Sequence, residues 1–425
     1  MGSKSIGIDT ATVGRRALLT GGTGLAAAAA VGLTAAPASA TGSAQRGRNQ
    51  DPRGHHGRGG PHPHHDHRRP KHPATLWRDA AARGITFGTS TSTWQLDPQY
   101  SALVAEQAAI LFTEDDLLWW RIKPSPDAPL DYSYADQFYA FAEQNRQLVF
   151  AAHLVWDEGF GDGWSDDDLW GLDRKAASKL LYGTLRSTVT RYRGRTAGWI
   201  VANEVTDPEG DRGLRTDVPW YNTIGPDYVA QAFRRTRALD RHAVLVLNEF
   251  GFETTNEWGD DPVARQKATL QVIDRLLADR VPVDALGIQA HLLAPDFADR
   301  FDRRQYRRFL AEVAARGLDI LITEMDVKDD GLPADIAARD RGVAQIYRRY
   351  LDTALSEPAV KAVMCFGLSD RYTWLEEDTP RDDGVPRRPL AYDEDMHPKP
   401  ARRAIARALH EARPRRPLWR PRRHC

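Results

Sequence analysis

Cysteine is almost missing from this chain: 425 residues hold only two, Cys365 inside a predicted strand and Cys425. No disulfide framework can be built from that pair, so a packed core must hold the fold. An excess of either charge is missing too. Lys and Arg number 58, and so do Asp and Glu, so no global field draws the chain to nucleic acid or to an anionic membrane. No glycine-rich phosphate loop follows any predicted strand, which argues against nucleotide binding. Past the first 40 residues no apolar run is long enough to span a bilayer, so stable membrane insertion is not expected.

The N-terminal segment is the exception. Arg15 and Arg16 precede a long Ala/Gly/Leu/Val run that ends in Ala38-Ser39-Ala40, which is the order of a secretory signal over residues 1–40. The arginine pair and the mild hydrophobicity point to twin-arginine export and a secreted protein; an ordinary signal peptide or a membrane anchor is the alternative. Residues 41–74 hold seven of the thirteen histidines among Arg, Pro and Gly. This composition predicts a disordered, solvated linker, with binding of a divalent metal as the other reading. Residues 413–425 predict a second disordered, basic tail.

Between them, over 75–412, strand-like and helix-like stretches alternate. Strands are predicted to begin near Ile85, Ala109, Leu148, Gly198, Ala243, Ala285, Leu318 and Lys361. The clearest helix covers 303–316, where Tyr306, Phe309, Leu310 and Val313 recur at i, i+3, i+4 and i+7. Asp302 is its expected N-cap and Gly317 its stop. Another helix follows Pro400. Eight alternating βα units predict an α/β fold with a parallel sheet closed into a (β/α)₈ TIM barrel as a single catalytic domain; a doubly wound open sheet is the runner-up.

The carboxyl ends of these strands are polar to a degree that folding alone does not require. They carry Glu114 and Trp119 (strand 2), Trp156 (strand 3), Asn203 and Glu204 (strand 4), Asn248 and Glu249 (strand 5), Gln289 and His291 (strand 6), Glu324 and Asp326 (strand 7), and Trp374 (strand 8). Burying a carboxylate at a strand end is costly without a partner. A (β/α)₈ barrel nonetheless keeps its chemistry there, and two carboxylates are the equipment for breaking glycosidic bonds. The tryptophan faces suit stacking on sugar rings. Gln289 and His291 are two apart, so they are expected to leave one strand face together, with a core histidine bonded to backbone as the bland alternative for His291. A weak candidate for a structural calcium is the acidic run Asp166 to Asp168.

Four motifs in order then resemble family 10 glycoside hydrolases, the endo-β-1,4-xylanase family. They are Trp-Ile-Val-Ala-Asn-Glu at 199–204, Gly-Ile-Gln-Ala-His at 287–291, Ile-Thr-Glu-Met-Asp at 322–326, and 367–374 with 388–393 and 398–400. The resemblance covers about 80–412. It implies hydrolysis of β-1,4-linked glycans with net retention, with Glu204 as general acid/base and Glu324 as nucleophile. It also implies that Asn203 bonds the sugar 2-hydroxyl, that Gln289 and His291 hold Glu324, and that Trp374 and Trp156 line the cleft. A polysaccharide or oligosaccharide is the expected partner, a monomer is the expected state, and the implied chemistry requires no metal or organic cofactor.

The chain departs from that pattern on one side. Where the family has Pro-Glu-Asn-Glu-Met-Lys-Trp, this chain has Thr-Glu-Asp-Asp-Leu-Leu-Trp at 113–119, so Asp115 and Leu118 replace an asparagine and a lysine. Ala152 takes a histidine position; His153, one place later, is expected to face the other way unless a bulge intervenes. Asp157 replaces a second histidine, and Phe366 a tryptophan. Xylan is therefore the first expectation, another β-glycan or plant glycoside the second, and a non-catalytic carbohydrate-binding protein the third. A metal-binding role for the histidine-rich linker is a separate reading.

Overall fold

The computed structural model describes residues 75–256 and 259–419. The signal and linker segments, and the tail from 420 on, lie outside the described residues. Eight parallel strands form the frame: β1 (Thr86–Thr91), β2 (Ile110–Thr113), β3 (Leu148–Ala151), β4 (Gly198–Asn203), β5 (Val244–Glu249), β6 (Ala285–Ile288), β7 (Asp319–Lys328) and β8 (Val360–Cys365). Each pairs with the next, and β8 pairs with β1, so the sheet is a closed (β/α)₈ barrel rather than an open doubly wound one. The expected strand starts fall within one residue of those observed.

Alternation sorts the strand side chains into two sets. Ile110 and Phe112, Val244 and Val246, and Ala362 and Met364 point into the barrel with Phe150, Ala152, Ile200, Ala285 and Leu321. Their neighbours in sequence, such as Leu111, Leu245 and Val363, pack outward against the helices. The helix at Arg303–Ala315 behaves as its pattern predicts. Asp302 accepts from the amides of Arg304 and Gln305, and Tyr306, Phe309, Leu310 and Val313 are its buried face.

The register shifts at three places: β4 slips by one residue against β5 between Ile200 and Ala202, and the β7–β8 pair slips between Val360 and Ala362 and again between Ile322 and Met325. Such a bulge re-aims the side chains beyond it. In β4 it turns Asn203 inward after the outward pair Val201 and Ala202.

The basic tail corrects its composition. Residues 413–419 are laid across the amino-terminal mouth of the barrel instead of being loose. Arg415 donates from its guanidinium to the carbonyls of Leu355, Glu357 and Val360 at 2.7–2.8 Å, and its amide donates to Arg83. Trp419 donates through Nε1 to the Ala197 carbonyl at 3.0 Å, and its ring meets Phe150 of the barrel interior edge-on. Gly84 marks the crossing. It has a φ of 75°, and a Cβ there would sit 1.9 Å from the Arg415 carbonyl oxygen.

At the opposite mouth a buried ion network fixes the long loop after β8. Arg387 reaches Asp329 at 3.0 Å, Arg388 grips Asp340 with two bonds of 2.8 and 2.9 Å, and Lys399 meets Asp370 at 2.7 Å. These charges are desolvated together, so each needs its partner. Among the described residues, no helix is long and apolar enough to cross a membrane.

Candidate active site

Glu204 follows β4 with a φ of 55°, a left-handed conformation uncommon outside glycine. The next two amides are clamped: those of Val205 and Thr206 both donate to Oε1 of buried Glu249, at 2.8 and 2.9 Å. Arg265 answers the other oxygen of Glu249 at 3.1 Å. Burial pushes the Glu249 carboxyl up to about 7, against the pull of Arg265. The Glu204 side chain then accepts from Gln289 Nε2 at 2.7 Å and from Trp156 Nε1 at 3.2 Å, while its carbonyl accepts from Arg215.

Glu324 sits within the slip between Ile322 and Met325 in β7 and is buried. Its Oε1 accepts from Asn248 Nδ2 at 2.7 Å, and its Oε2 lies 3.4 Å from His291 Nε2. The far nitrogen of His291 is 2.9 Å from Asp326, whose second oxygen accepts from Trp374 Nε1 at 2.7 Å. Burial alone would lower the His291 pKa, but the adjacent Asp326 and Glu324 carboxylates outweigh it and raise the value well above 6.5. The raised value favours the form in which both ring nitrogens carry protons.

Asn203 and Asn248 close the circuit. Asn203 Oδ1 accepts from Asn248 Nδ2 at 2.8 Å and from Gln289 Nε2 at 3.4 Å, and Thr323 donates to Asn248 Oδ1 at 2.8 Å. A continuous hydrogen-bonded run thus links Glu204 to Glu324 through Gln289, Asn203 and Asn248. Two expectations are corrected here. Gln289 holds Glu204 rather than Glu324, and strand alternation is not what pairs it with His291. Ala290 between them has a φ of 62°, and His291 opens a separate short strand, His291–Leu293, paired to β7.

Other residues fall unevenly. Trp156 and Trp374 stand half-buried beside the two glutamates. Trp119 is buried, 4.9 Å from Phe160 and 6.3 Å from Trp220 in a stacked cluster, so it has no face open to a sugar. Glu114 accepts from Ser90 and Gln95, and burial, then the charge of Asp115, pushes it up to about 8. His153 does look into the barrel, after a cis Ala152–His153 peptide, and packs against Phe112 and Trp156. Its ring nitrogens are buried without a hydrogen-bond partner, and burial pushes it down to about 3. Asp168 is turned back onto Ser165 as a helix cap, and among the described residues no group of three or more His, Cys, Asp or Glu is placed to hold a metal.

Sequence reasoning gave no role to three members of this neighbourhood. Asn248 was legible: Val244, Val246 and Asn248 alternate inward on one strand. Arg215 was not, since it arrives from an excursion after β4; it bonds Asp157 at 2.9 Å. Glu158 lies in the same patch and is raised by burial and by the charges of Glu204 and Asp157.

Comparison with known proteins agrees with the barrel fold. The model of glycosyl hydrolase family 10 matches residues 76–408. Endo-1,4-beta-xylanase B of Thermotoga neapolitana is 27% identical over 329 residues, covering 77% of this chain and 88% of that one. A thermostable celloxylanase of Thermoclostridium stercorarium is 28% identical over 371 residues, covering 78% and 86%. The structure of xylanase 10B from Thermotoga petrophila RKU-1, in complex with xylobiose, superposes with a TM-score of 0.70 at 28% identity, covering 80% of this chain and 98% of that one. The chain is a glycosidase and belongs to glycosyl hydrolase family 10.

Proposed function

We propose that this glycosidase is exported and cleaves β-1,4-linked xylan or a related plant polysaccharide with retention, by double displacement, as a monomer without a cofactor. The observation that carries the reading is the hydrogen-bonded run tying Glu204 to Glu324 at one barrel mouth. Xylanases at 27–28% identity support the substrate class.

Glu324, as the carboxylate, attacks the anomeric carbon while Glu204 gives its proton to the departing glycosidic oxygen. A glycosyl ester on Glu324 and a free sugar hydroxyl result. Water then attacks the same carbon, Glu204 takes the proton, and Glu324 leaves as a carboxylate. His291 and Asn248, donating to the two Glu324 oxygens, favour the charged form at both ends of the cycle. Asn203 bonds the 2-hydroxyl of the sugar at the reacting centre, and Trp156 and Trp374 flank it.

Following the first-formed product by NMR on xylan, mixed-linkage glucan and aryl β-xylosides tests this. A β-anomer from wild type and no turnover from Glu324→Ala are expected; an α-anomer, or an active Glu324→Ala, overturns the assignment. Export is tested by replacing Arg15 and Arg16 with Lys, which is expected to leave the enzyme inside the cell.

A further inference from the structure

Two tryptophans among the described residues are exposed, and they differ in kind. Trp120 is covered on one face by the Arg121 guanidinium, 4.2 Å from its ring centroid. Trp94 is 56% exposed yet held in place. Its indole N–H donates to Asp115 at 2.7 Å, and its ring meets Tyr372 edge-on at 5.8 Å and 88°.

The turn that presents it, Thr93–Gln95, is anchored from below. Asp116 accepts from the amide and hydroxyl of Thr93 at 2.9 and 2.8 Å, and Gln95 donates to Glu114 at 3.0 Å. Trp94 is therefore fixed by the loops after β1, β2 and β8, all at the mouth that holds Glu204 and Glu324. Tyr372 stands two residues before Trp374. An immobilised aromatic on an open rim loses little side-chain freedom when a ligand arrives, which favours stacking over a flexible polar grip.

We propose that Trp94 is a sugar-stacking platform, receiving the flat apolar face of a pyranose unit away from the bond being cleaved, with Asp115 and Tyr372 as its clamp. This rests on the glycan-hydrolase reading above. In the full-length protein, Trp94→Ala should lower kcat/KM about tenfold on a hexasaccharide of the preferred glycan, through KM. Turnover of an aryl β-xyloside, which fills only the reacting position, should be unchanged, and Trp94→Phe should retain most of the activity. Equal effects of Trp94→Ala on both substrates, or no effect on the hexasaccharide, would overturn the platform. If wild type cleaves no glycan, the hydrolase reading fails instead, and calorimetric titration of xylohexaose decides about Trp94: equal affinity of wild type and Trp94→Ala overturns it.

Discussion

Gln289 donates its amide to Oε1 of Glu204 over 2.7 Å, and this bond aims the carboxyl that we propose delivers a proton. A hydrogen bond to a carboxyl that gains charge as it gives up its proton contributes about 1.5–3 kcal/mol in the transition state, so Gln289→Ala should slow xylan cleavage roughly 10- to 100-fold. A dinitrophenyl glycoside, whose leaving group needs no proton, should lose far less. Equal losses on the two substrates would show that Gln289 does not act through Glu204.

His291 gives the pH dependence. Its folded value is raised above the ordinary 6.5, so its contribution to stability is complete below 6.5 and disappears as pH climbs through the folded value. Urea melts of wild type and His291→Gln should therefore differ most below 6.5 and converge under alkaline conditions. A gap independent of pH would contradict a charged His291 between Asp326 and Glu324.

Glu249 serves two masters, the peptide after Glu204 and the Arg265 guanidinium. Glu249→Ala takes the nearer of two carboxylates from buried Arg265, leaving Asp260 at 3.7 Å, and breaking such a buried pair costs about 3–5 kcal/mol. A clear drop in melting temperature is expected together with slower turnover. Removing Arg265 as well should restore part of the stability but not the turnover; full recovery of both would mean that the clamp on Val205 and Thr206 is irrelevant.

Most of the barrel was readable because its strands bury both faces and its helices one. The starts of all eight strands and the helix at 303–315 follow from period and capping alone. The two glutamates were readable as costly residues at strand ends. What period could not reveal is where it breaks. The slips in β4 and β7 and the left-handed Ala290 decide which side chains meet, and they depend on neighbouring strands rather than on local sequence. The resemblance gave Gln289 and His291 one glutamate, and the break at Ala290 parts them. Trp119 misled for another reason: a tryptophan next to a polar run reads equally well as rim or as core. In the tail, the arginines masked the apolar pair Leu418 and Trp419, which complete the interior.

That tail yields a separable prediction. Trp419→Ala should cost about 2–3 kcal/mol, below the 3–5 of a fully enclosed tryptophan because the ring is only half-buried. Calorimetry should register a lower melting temperature with kcat unchanged; a fall in kcat at a temperature where the variant is fully folded would contradict this division of labour.

The floor of this barrel is laid by its own chain, on the side remote from the chemistry. Durability can thus be adjusted by swapping a few residues beneath the ring, leaving the sugar-cleaving end untouched.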